Sequence, residues 1–257
     1  MTSVTQRIAQ IKQPRGGYLK PKDFVEILLD DGVELYPEEN IHAGLVGLAV
    51  DYLTRYTMGT PAEQAFDISL RGASIIGERE DADFFLSRVR GLDDLSIRFA
   101  CKLVGYDVCT RVGIIGYKNA DDIHVDEKTV FNIRTMVNRS LAFFEEYGPI
   151  IKEGFTFELG YTPTVTSGDG DFLTENTLWD FQVSKNKPTT GHTLQLLMYY
   201  ILGICSIHRE FHDVKKLGIY NPRFNKAYLR EISKIDSSVI KKVATDVVGV
   251  EANKVLD

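Results

Sequence analysis

The sequence has little cysteine and no long apolar run, and each absence excludes a class of protein. Three cysteines occur in 257 residues, an odd number without the paired spacing of metal ligands, so neither a disulfide framework nor a zinc cluster is predicted. No apolar run approaches the roughly 18 to 20 residues that cross a bilayer, and the polar first residues lack the apolar stretch of a secretory signal. We therefore expect a soluble, reduced protein of the cytoplasm with no membrane partner.

Several common catalytic motifs are also absent. The sequence contains no phosphate-binding P-loop, no G-x-G-x-x-G fingerprint and no nucleophile elbow. His208 and His212 are four residues apart, but no glutamate directly follows His208, so the pair does not match the HExxH zinc motif. These two histidines are expected at the surface or at a helix end.

Charge is distributed unevenly along the chain. The net charge is −6, which by itself disfavours a nucleic-acid partner. Residues 181–242, however, contain eleven Lys/Arg against four Asp/Glu, an excess of seven positive charges that leaves −13 on the rest of the chain. A basic segment on an acidic chain is typical of a local phosphate-binding face, although a solvated helix surface produces the same pattern.

Hydrophobic periodicity divides the chain into a helical part and a later β-rich part. Residues 1–17 are interpreted as a flexible tail and residues 18–257 as a single domain. Apolar residues at steps of three and four predict helices from 37 to about 56, from 61 to about 76, and at 81–89, 92–105 and 126–147. Asp126 is a suitable cap for the last helix. Residues 112–117 fit either a short strand or a loop.

After Gly154 the period changes from that of a helix to that of a strand. Alternation predicts strands at 155–159, 171–173 and 177–184, with another extended stretch at 162–166. A strongly apolar helix from 192 to about 208 and a short strand at 216–220 follow. The β-rich core thus spans about residues 150–222, in the order of three strands, a helix and a strand, preceded by helices.

Two acidic residues of this core predict a metal site. Asp171 and Asp180 lie on strands joined by a turn of about three residues, which brings both carboxylates within reach of one cation. Neighbouring carboxylates repel each other and favour a divalent metal, and oxygen ligands suit Mg²⁺ or Mn²⁺ better than zinc. Strand alternation puts Gln182 on the face of Asp180 and Lys185 on the opposite face. In the following helix, Gln195 and Tyr199 share one stripe.

The run GDGDFLTENTLWDFQVSK, followed by HTLQLLMYYILG, resembles the core of the PD-(D/E)XK nuclease superfamily, most closely its RecB-like branch. The resemblance implies an α/β (α+β) fold with an αβββαβ core, a mixed sheet and a helical N-terminal insertion. It equates Asp171 and Asp180 with the two acids of the family, and Gln195 and Tyr199 with its helix motif. The segment MGTPAEQAF resembles the upstream acid motif of the family, with Glu63 as the acid.

The sequence departs from the family at one position, where Gln182 replaces the motif lysine. Lysine there helps to position the attacking water and balances developing negative charge, whereas glutamine keeps only the hydrogen bonding. The leading hypothesis is a metal-dependent nuclease that hydrolyses phosphodiester bonds, with DNA favoured. Glu63, Asp171 and Asp180 would hold Mg²⁺ or Mn²⁺, and Gln182 would orient the water. The residues expected to bind nucleic acid are Lys185, Lys187, Gln195, Tyr199, Lys215, Lys216 and Arg223.

Two alternatives remain open. A nuclease fold without its lysine can bind nucleic acid without cutting it. The acidic, helix-rich first part also fits a protein-interaction module in which the core is only a scaffold, and a protein partner or a homo-oligomer fits the same sequence.

Overall fold

A computed structural model describes residues 2–256, and their contacts divide the chain into two compact units. The sheet unit comprises Met1–Leu29 and Phe144–Asp257, and the helical unit comprises Asp30–Phe143. The predicted helical part, at about 37–147, corresponds closely to the second unit. The fold is of the mixed α/β type, built on a six-stranded mixed sheet.

The α-helices of the described chain are α1 (Val4–Gln10), α2 (Ala43–Thr57), α3 (Ala62–Ala65), α4 (Asp67–Ile76), α5 (Arg79–Arg88), α6 (Asp94–Leu103), α7 (Asp107–Arg111), α8 (Glu127–Tyr147), α9 (Thr190–Ile204), α10 (Ser237–Lys242) and α11 (Asn253–Leu256). The strands are β1 (Val25–Leu28), β2 (Ile150–Phe155), β3 (Gly170–Thr174), β4 (Thr177–Phe181), β5 (Lys216–Asn221) and β6 (Lys226–Glu231). Within residues 2–256, no helix combines the length and the apolar character that a membrane crossing requires.

The predicted flexible tail at residues 1–17 is wrong. Helix α1 lies within it, and a capping box between Ser3 and Gln6 fixes its start. Val4 is buried in the core of the sheet unit, and its backbone N–H donates to the carbonyl of Ser167 at 3.0 Å. Proline and glycine at positions 14–17, which favour a flexible segment in the sequence, form a turn between two anchored segments.

In the helical unit the predicted helices are present, with two differences. The helix expected from residue 37 begins only at Ala43, where His42 caps it. The helix expected from Pro61 to Ile76 breaks at Phe66, which is fully buried and packs edge-on against Tyr52, so it separates α3 from α4. Asp126 caps α8 by accepting from the N–H of Thr129 at 2.8 Å, as expected. The open segment 112–117 contains a short 3₁₀ turn, Ile114–Gly116, rather than a strand.

The sheet has the strand order β1-β6-β5-β4-β3-β2. Strands β4 and β5 run parallel and are connected through α9, whereas every other neighbouring pair is antiparallel. The strand expected at 155–159 lies further upstream, at β2, because residues 150–155 pair with β3 and Leu159 adopts a left-handed turn conformation. The edge strand β1 and its neighbour β6 were not predicted.

The two faces of the sheet are covered differently. Leu173, Leu178, Leu217 and Ile219 pack with the apolar residues of α9 in the main core. The opposite face carries a row of aromatic rings. This row consists of Phe144, Tyr147, Phe172, Trp179, Phe181 and Tyr220. Because successive strand residues alternate, the residues in step with Leu173 and Leu178, which are Asp171 and Asp180, point toward α9.

Candidate functional site

The hairpin of β3 and β4 brings the two predicted acids together. Its register pairs Phe172 with Trp179 and Leu173 with Leu178, so the next position sets Asp171 opposite Asp180. A hydrogen bond between the two carboxyl groups contributes to the pKa of Asp180. Asp171 also accepts from the backbone N–H of Phe181 through Oδ2 at 2.8 Å. The predicted juxtaposition of the two carboxyls is therefore confirmed.

Asp180 is almost completely buried, with 1% of its surface exposed, and each of its oxygens accepts from an amide. Gln182 Nε2 donates to Oδ2 at 2.6 Å, and Gln195 Nε2 donates to Oδ1 at 2.9 Å. Burial raises the pKa of Asp180, and these hydrogen bonds together with the charge of His192 partly counteract it. Within residues 2–256, Asp180 forms no ion pair with lysine or arginine. The amides of Gln182 and Gln195, rather than a lysine or arginine, therefore donate to its oxygens.

Gln182 lies beside Asp180 as predicted, although strand alternation is not the reason. Strand β4 ends at Phe181, and Gln182 continues the pairing with β5 by only one bond, from its N–H to the carbonyl of Tyr220 at 2.9 Å. The chain then turns, and Asn221 Nδ2 holds the carbonyl of Ser184 at 2.8 Å. The predicted strand 177–184 is three residues too long, so the alternation used for Lys185 does not apply.

Helix α9 supplies the other side of the site. Thr189 caps it in a capping box with His192, and its first turns carry Gln195 to Asp180. One turn later, Tyr199 is 6% exposed and packs on the ring of Phe157. Burial and the carboxylates of Asp180, Asp171 and Asp169 hold the pKa of Tyr199 far above its ordinary value. Its phenol stays protonated, and it makes no hydrogen bond within the described residues.

The site contains two carboxyls and two side-chain amides, which are oxygen donors suited to Mg²⁺ or Mn²⁺. Rotation of an amide exchanges its nitrogen for its oxygen, so Gln182 and Gln195 can present either atom. Glu63, the third predicted ligand, is an exposed residue of α3 in the helical unit. No group of three or more His, Cys, Asp and Glu side chains among residues 2–256 could hold a metal. The roles of Glu63, Asp171 and Asp180 as metal ligands therefore stay predictions, and of these three residues the structure brings Asp171 and Asp180 together.

The predicted nucleic-acid-binding cations lie at two ends of the sheet. Thr177 pairs with Lys216 at the start of the parallel strands, three residues before Asp180, or about 10 Å at about 3.3 Å per residue. Lys215 directly precedes Lys216, so both lie at the strand ends remote from the carboxyls. Their predicted contact with the nucleic-acid backbone stays a prediction, and because β5 starts alongside the start of β4, it would lie away from Asp171 and Asp180.

The other cations follow the carboxyl ends of the parallel strands, where ligands of open α/β sheets commonly bind. Lys185 and Lys187 lie in the loop after β4, and Arg223 follows β5. Lys187 Nζ contacts Glu26 at 3.3 Å. The backbone N–H of Arg223 donates to Asn221 Oδ1 at 2.9 Å. These residues occupy the expected end of the sheet.

Sequence reasoning missed His192, whose charge acts on Asp180. The signal was present, because His192 stands three residues after a threonine that can cap the helix and three before Gln195. Comparisons of the chain with protein-family models, with curated proteins and with solved structures find no match. Function must therefore be inferred from the geometry and chemistry of this site.

Proposed function

We propose that the sheet unit is a metal-dependent nuclease-like module of the PD-(D/E)XK type that acts on phosphodiester bonds, with DNA as the favoured substrate. One observation carries this proposal. Asp180 is a buried carboxyl in contact with a second carboxyl, and each of its oxygens accepts from a neutral amide and not from a lysine or arginine.

A purely structural role explains this arrangement poorly. Burying a carboxylate is unfavourable unless it is paired, and a stable core normally supplies a cation or replaces the acid. Two adjacent acids with amide neighbours instead favour a divalent cation from solution. The chain order of β2, β3, β4, α9 and β5, with the last strand parallel to β4, is the order that the family resemblance implies and supports the same proposal.

Asp171 and Asp180 would hold the metal. A bound Mg²⁺ or Mn²⁺ supplies a Lewis acid that polarises a phosphate oxygen and lowers the pKa of a bound water. Gln182 fixes one oxygen of Asp180 and can orient a water through its amide. Tyr199 keeps its proton near these acids and can donate a hydrogen bond to an anionic oxygen. Lys185 and Arg223, at the same end of the sheet, would contact the phosphate backbone.

Gln182 also supports a second candidate function, a nuclease fold that binds nucleic acid without cutting it. The amide lacks the charge that normally balances the transition state at this position. Loss of one preorganised electrostatic group typically reduces a rate by about 10²- to 10³-fold.

Cleavage of single- and double-stranded DNA with Mg²⁺ tests both functions. We expect Gln182→Lys to raise cleavage by up to about 10²- to 10³-fold, and the double variant with Asp171→Ala to abolish the gain. Asn253→Lys adds the same charge at an exposed position of α11, away from the site, and is the matched control. Binding without cleavage by any variant would leave the second candidate function, and neither binding nor cleavage would overturn both.

A further inference from the structure

The first 22 residues contain five Lys/Arg and no Asp/Glu, although the whole chain is acidic. One of these cations is structural, since Arg7 donates to the carbonyls of Val247 and Asp246 at 2.9 Å each. The other four belong to residues 12–22, which we call the basic strap. They are Lys12, Arg15, Lys20 and Lys22.

The four strap cations are free. All four residues are exposed, and within residues 2–256 their side chains form no ion pair or hydrogen bond. By contrast, Lys187 and Lys226 are both paired with Glu26. A contiguous group of unpaired cations keeps its full attraction for a polyanion, because no nearby carboxylate has to be displaced.

The strap is held in a defined position on α9. Leu19 is buried in the main core, and Thr193 Oγ1 donates to the carbonyl of Leu19 at 2.6 Å. Gln13 Nε2 donates to the carbonyl of Thr190 at 3.2 Å. Gly17 packs so closely that a Cβ there would lie 2.7 Å from Thr190 Cγ2. The strap therefore presents its cations from a fixed backbone rather than from a flexible tail.

The turn of the strap also gathers its cations. The N–H of Gly17 donates to the carbonyl of Pro14 at 2.9 Å, and both Gly16 and Gly17 have φ near +87°. The stem of Lys20 folds back over Gly16, where a Cβ would lie 3.7 Å from its Cγ and Cε. Arg15 and Lys20 are thereby brought to the same turn.

The strap lies on the same helix as the candidate site. Thr190, which it contacts, precedes Gln195 by five residues, or about 7.5 Å along the helix axis. Each strand of duplex DNA advances about 3.4 Å per nucleotide, so this separation corresponds to about two nucleotides. A strand whose phosphate lies at the carboxyls would thus place its neighbouring phosphates beside the strap.

We propose that the basic strap binds the phosphodiester backbone of a nucleic-acid strand about two nucleotides from the phosphate at Asp171 and Asp180. This inference rests on the proposed function for its position on the substrate. The cations of the strap attract phosphates, so the strap recognises the backbone and not the base sequence.

Binding to a fluorescent 20-nucleotide strand, measured by anisotropy in EDTA over a range of salt concentrations, tests the strap without cleavage. One variant carries Lys12→Gln, Arg15→Gln, Lys20→Gln and Lys22→Gln. Each phosphate contact on a single strand contributes about −0.7 to the slope of log K against log salt. We expect the slope to weaken by about 3 and the affinity at about 0.1 M salt to fall by about 10²- to 10³-fold.

A matched control removes the same charge elsewhere on the sheet unit, through Arg209→Gln, Lys241→Gln, Lys242→Gln and Lys254→Gln. These four residues are exposed, and Arg209 and Lys254 lie near the carboxyl end of α9, away from the strap. We expect the control to keep most of the affinity and slope. Equal losses in the two variants would overturn the proposal, because net charge alone would then explain binding.

Further measurements distinguish nucleic acid from lipid as the source of phosphate. They also distinguish the strap proposal from the proposed nuclease function. DNA and RNA strands report which sugar is accepted, and strap-dependent binding of either supports the proposal. Wild-type protein that binds phosphatidylserine vesicles but neither strand would overturn it. Strap-dependent binding without Mg²⁺-dependent cleavage would contradict the nuclease function and support the proposal for the strap. Cleavage by the wild type with an unchanged KM in the strap variant would contradict the proposal for the strap and support the nuclease function.

Discussion

Replacing Asp180 with asparagine should stabilise the metal-free protein and remove its stabilisation by divalent metal. Burial raises the pKa of Asp180 in the folded state, so the ionised carboxylate is less favourable there than in the unfolded chain. For such a group, stability falls as the pH rises from the unfolded pKa to the folded pKa, and the whole penalty is present above the folded pKa. Each unit of pKa shift corresponds to about 1.4 kcal/mol.

Asparagine removes the charge and can keep the hydrogen bonds. Gln195 and Gln182 each donate to a different oxygen of Asp180. Asparagine offers one oxygen and one NH₂ group, so one glutamine must rotate its amide to accept instead of donate. Because this rotation preserves both contacts, we expect a net gain in the free energy of unfolding. For a chain of this size, each 1 kcal/mol raises Tm by about 2–4 °C.

Divalent metal should make the wild type more stable than Asp180→Asn. A ligand that binds only the folded state adds about 2.7 kcal/mol at one hundred times its Kd, which corresponds to about 5–10 °C in Tm. Wild type should gain this stabilisation from Mn²⁺, and Asp180→Asn should gain almost none, because the carboxylate ligand is lost. Calorimetric scans in EDTA and across a Mn²⁺ titration measure both effects. Asp169→Asn, in the turn before β3, is the matched control and should keep the response to metal.

Two results would refute this reasoning. A lower Tm of Asp180→Asn in EDTA would mean that the ionised carboxylate stabilises the end of β4 and does not destabilise the folded state. An equal rise of Tm with Mn²⁺ in wild type and Asp180→Asn would mean that the metal binds elsewhere.

Three further predictions concern the packing and charge of each unit. Asp31→Ala should lower the free energy of unfolding by about 2–3 kcal/mol in urea at pH 7, since Arg139 is buried and donates to both oxygens of Asp31 at 2.7 and 2.8 Å. Arg139 lowers the pKa of Asp31, so this contribution is complete above the ordinary pKa and is lost as the pH falls through the lowered one; an unchanged difference at pH 2 would contradict it. Gly218→Ala should cost about 1–3 kcal/mol because its Cβ would lie 2.3 Å from Trp179 Cε3, whereas the control Gly91→Ala meets no atom within 4 Å and should be nearly neutral. Gly17→Ala should lower Tm more than Gly16→Ala, because both share φ of +87° but only Gly17 is pressed against Thr190; equal effects would show that the strap is loosely packed.

The helices were predictable because their signals are local. Steps of three and four apolar residues and caps such as Asp126 act within one element, so no knowledge of the partner was needed. The strands were harder. Phe155 and Phe157 are both buried, but only Phe155 belongs to a strand, since an aromatic side chain in a turn can fill the core equally well. Edge strand β1 exposes Val25 and Leu28, so it lacks the alternation that reveals a half-buried strand.

In the site, too, some features are determined by nearby sequence and others by contacts between distant segments. The pair Asp171 and Asp180 could be predicted because a three-residue turn sets the hairpin register. The distance of Lys215 and Lys216 from the carboxyls could not be predicted, because the direction of β5 depends on the crossover through α9 and not on nearby sequence. The strap was missed because Pro14, Gly16 and Gly17 indicate a turn in any context, and only the burial of Leu19 and the contact with Thr190 show that this turn is fixed.

Under the proposed function, Gln182 occupies the position of the PD-(D/E)XK motif lysine, and this changes the charge balance of the site. A lysine beside two carboxylates would cancel one of their charges, and the site could stay ionised without metal. Gln182 and Gln195 instead donate to the oxygens of buried Asp180 as neutral dipoles, and burial still raises the pKa of this carboxyl. A proton or a nearby cation would each stabilise Asp180 in this position. Under the proposed function, a cation bound there would also neutralise an approaching phosphate, so substrate binding as well as chemistry should depend on metal, whereas the proposed contact of the basic strap with a strand should not.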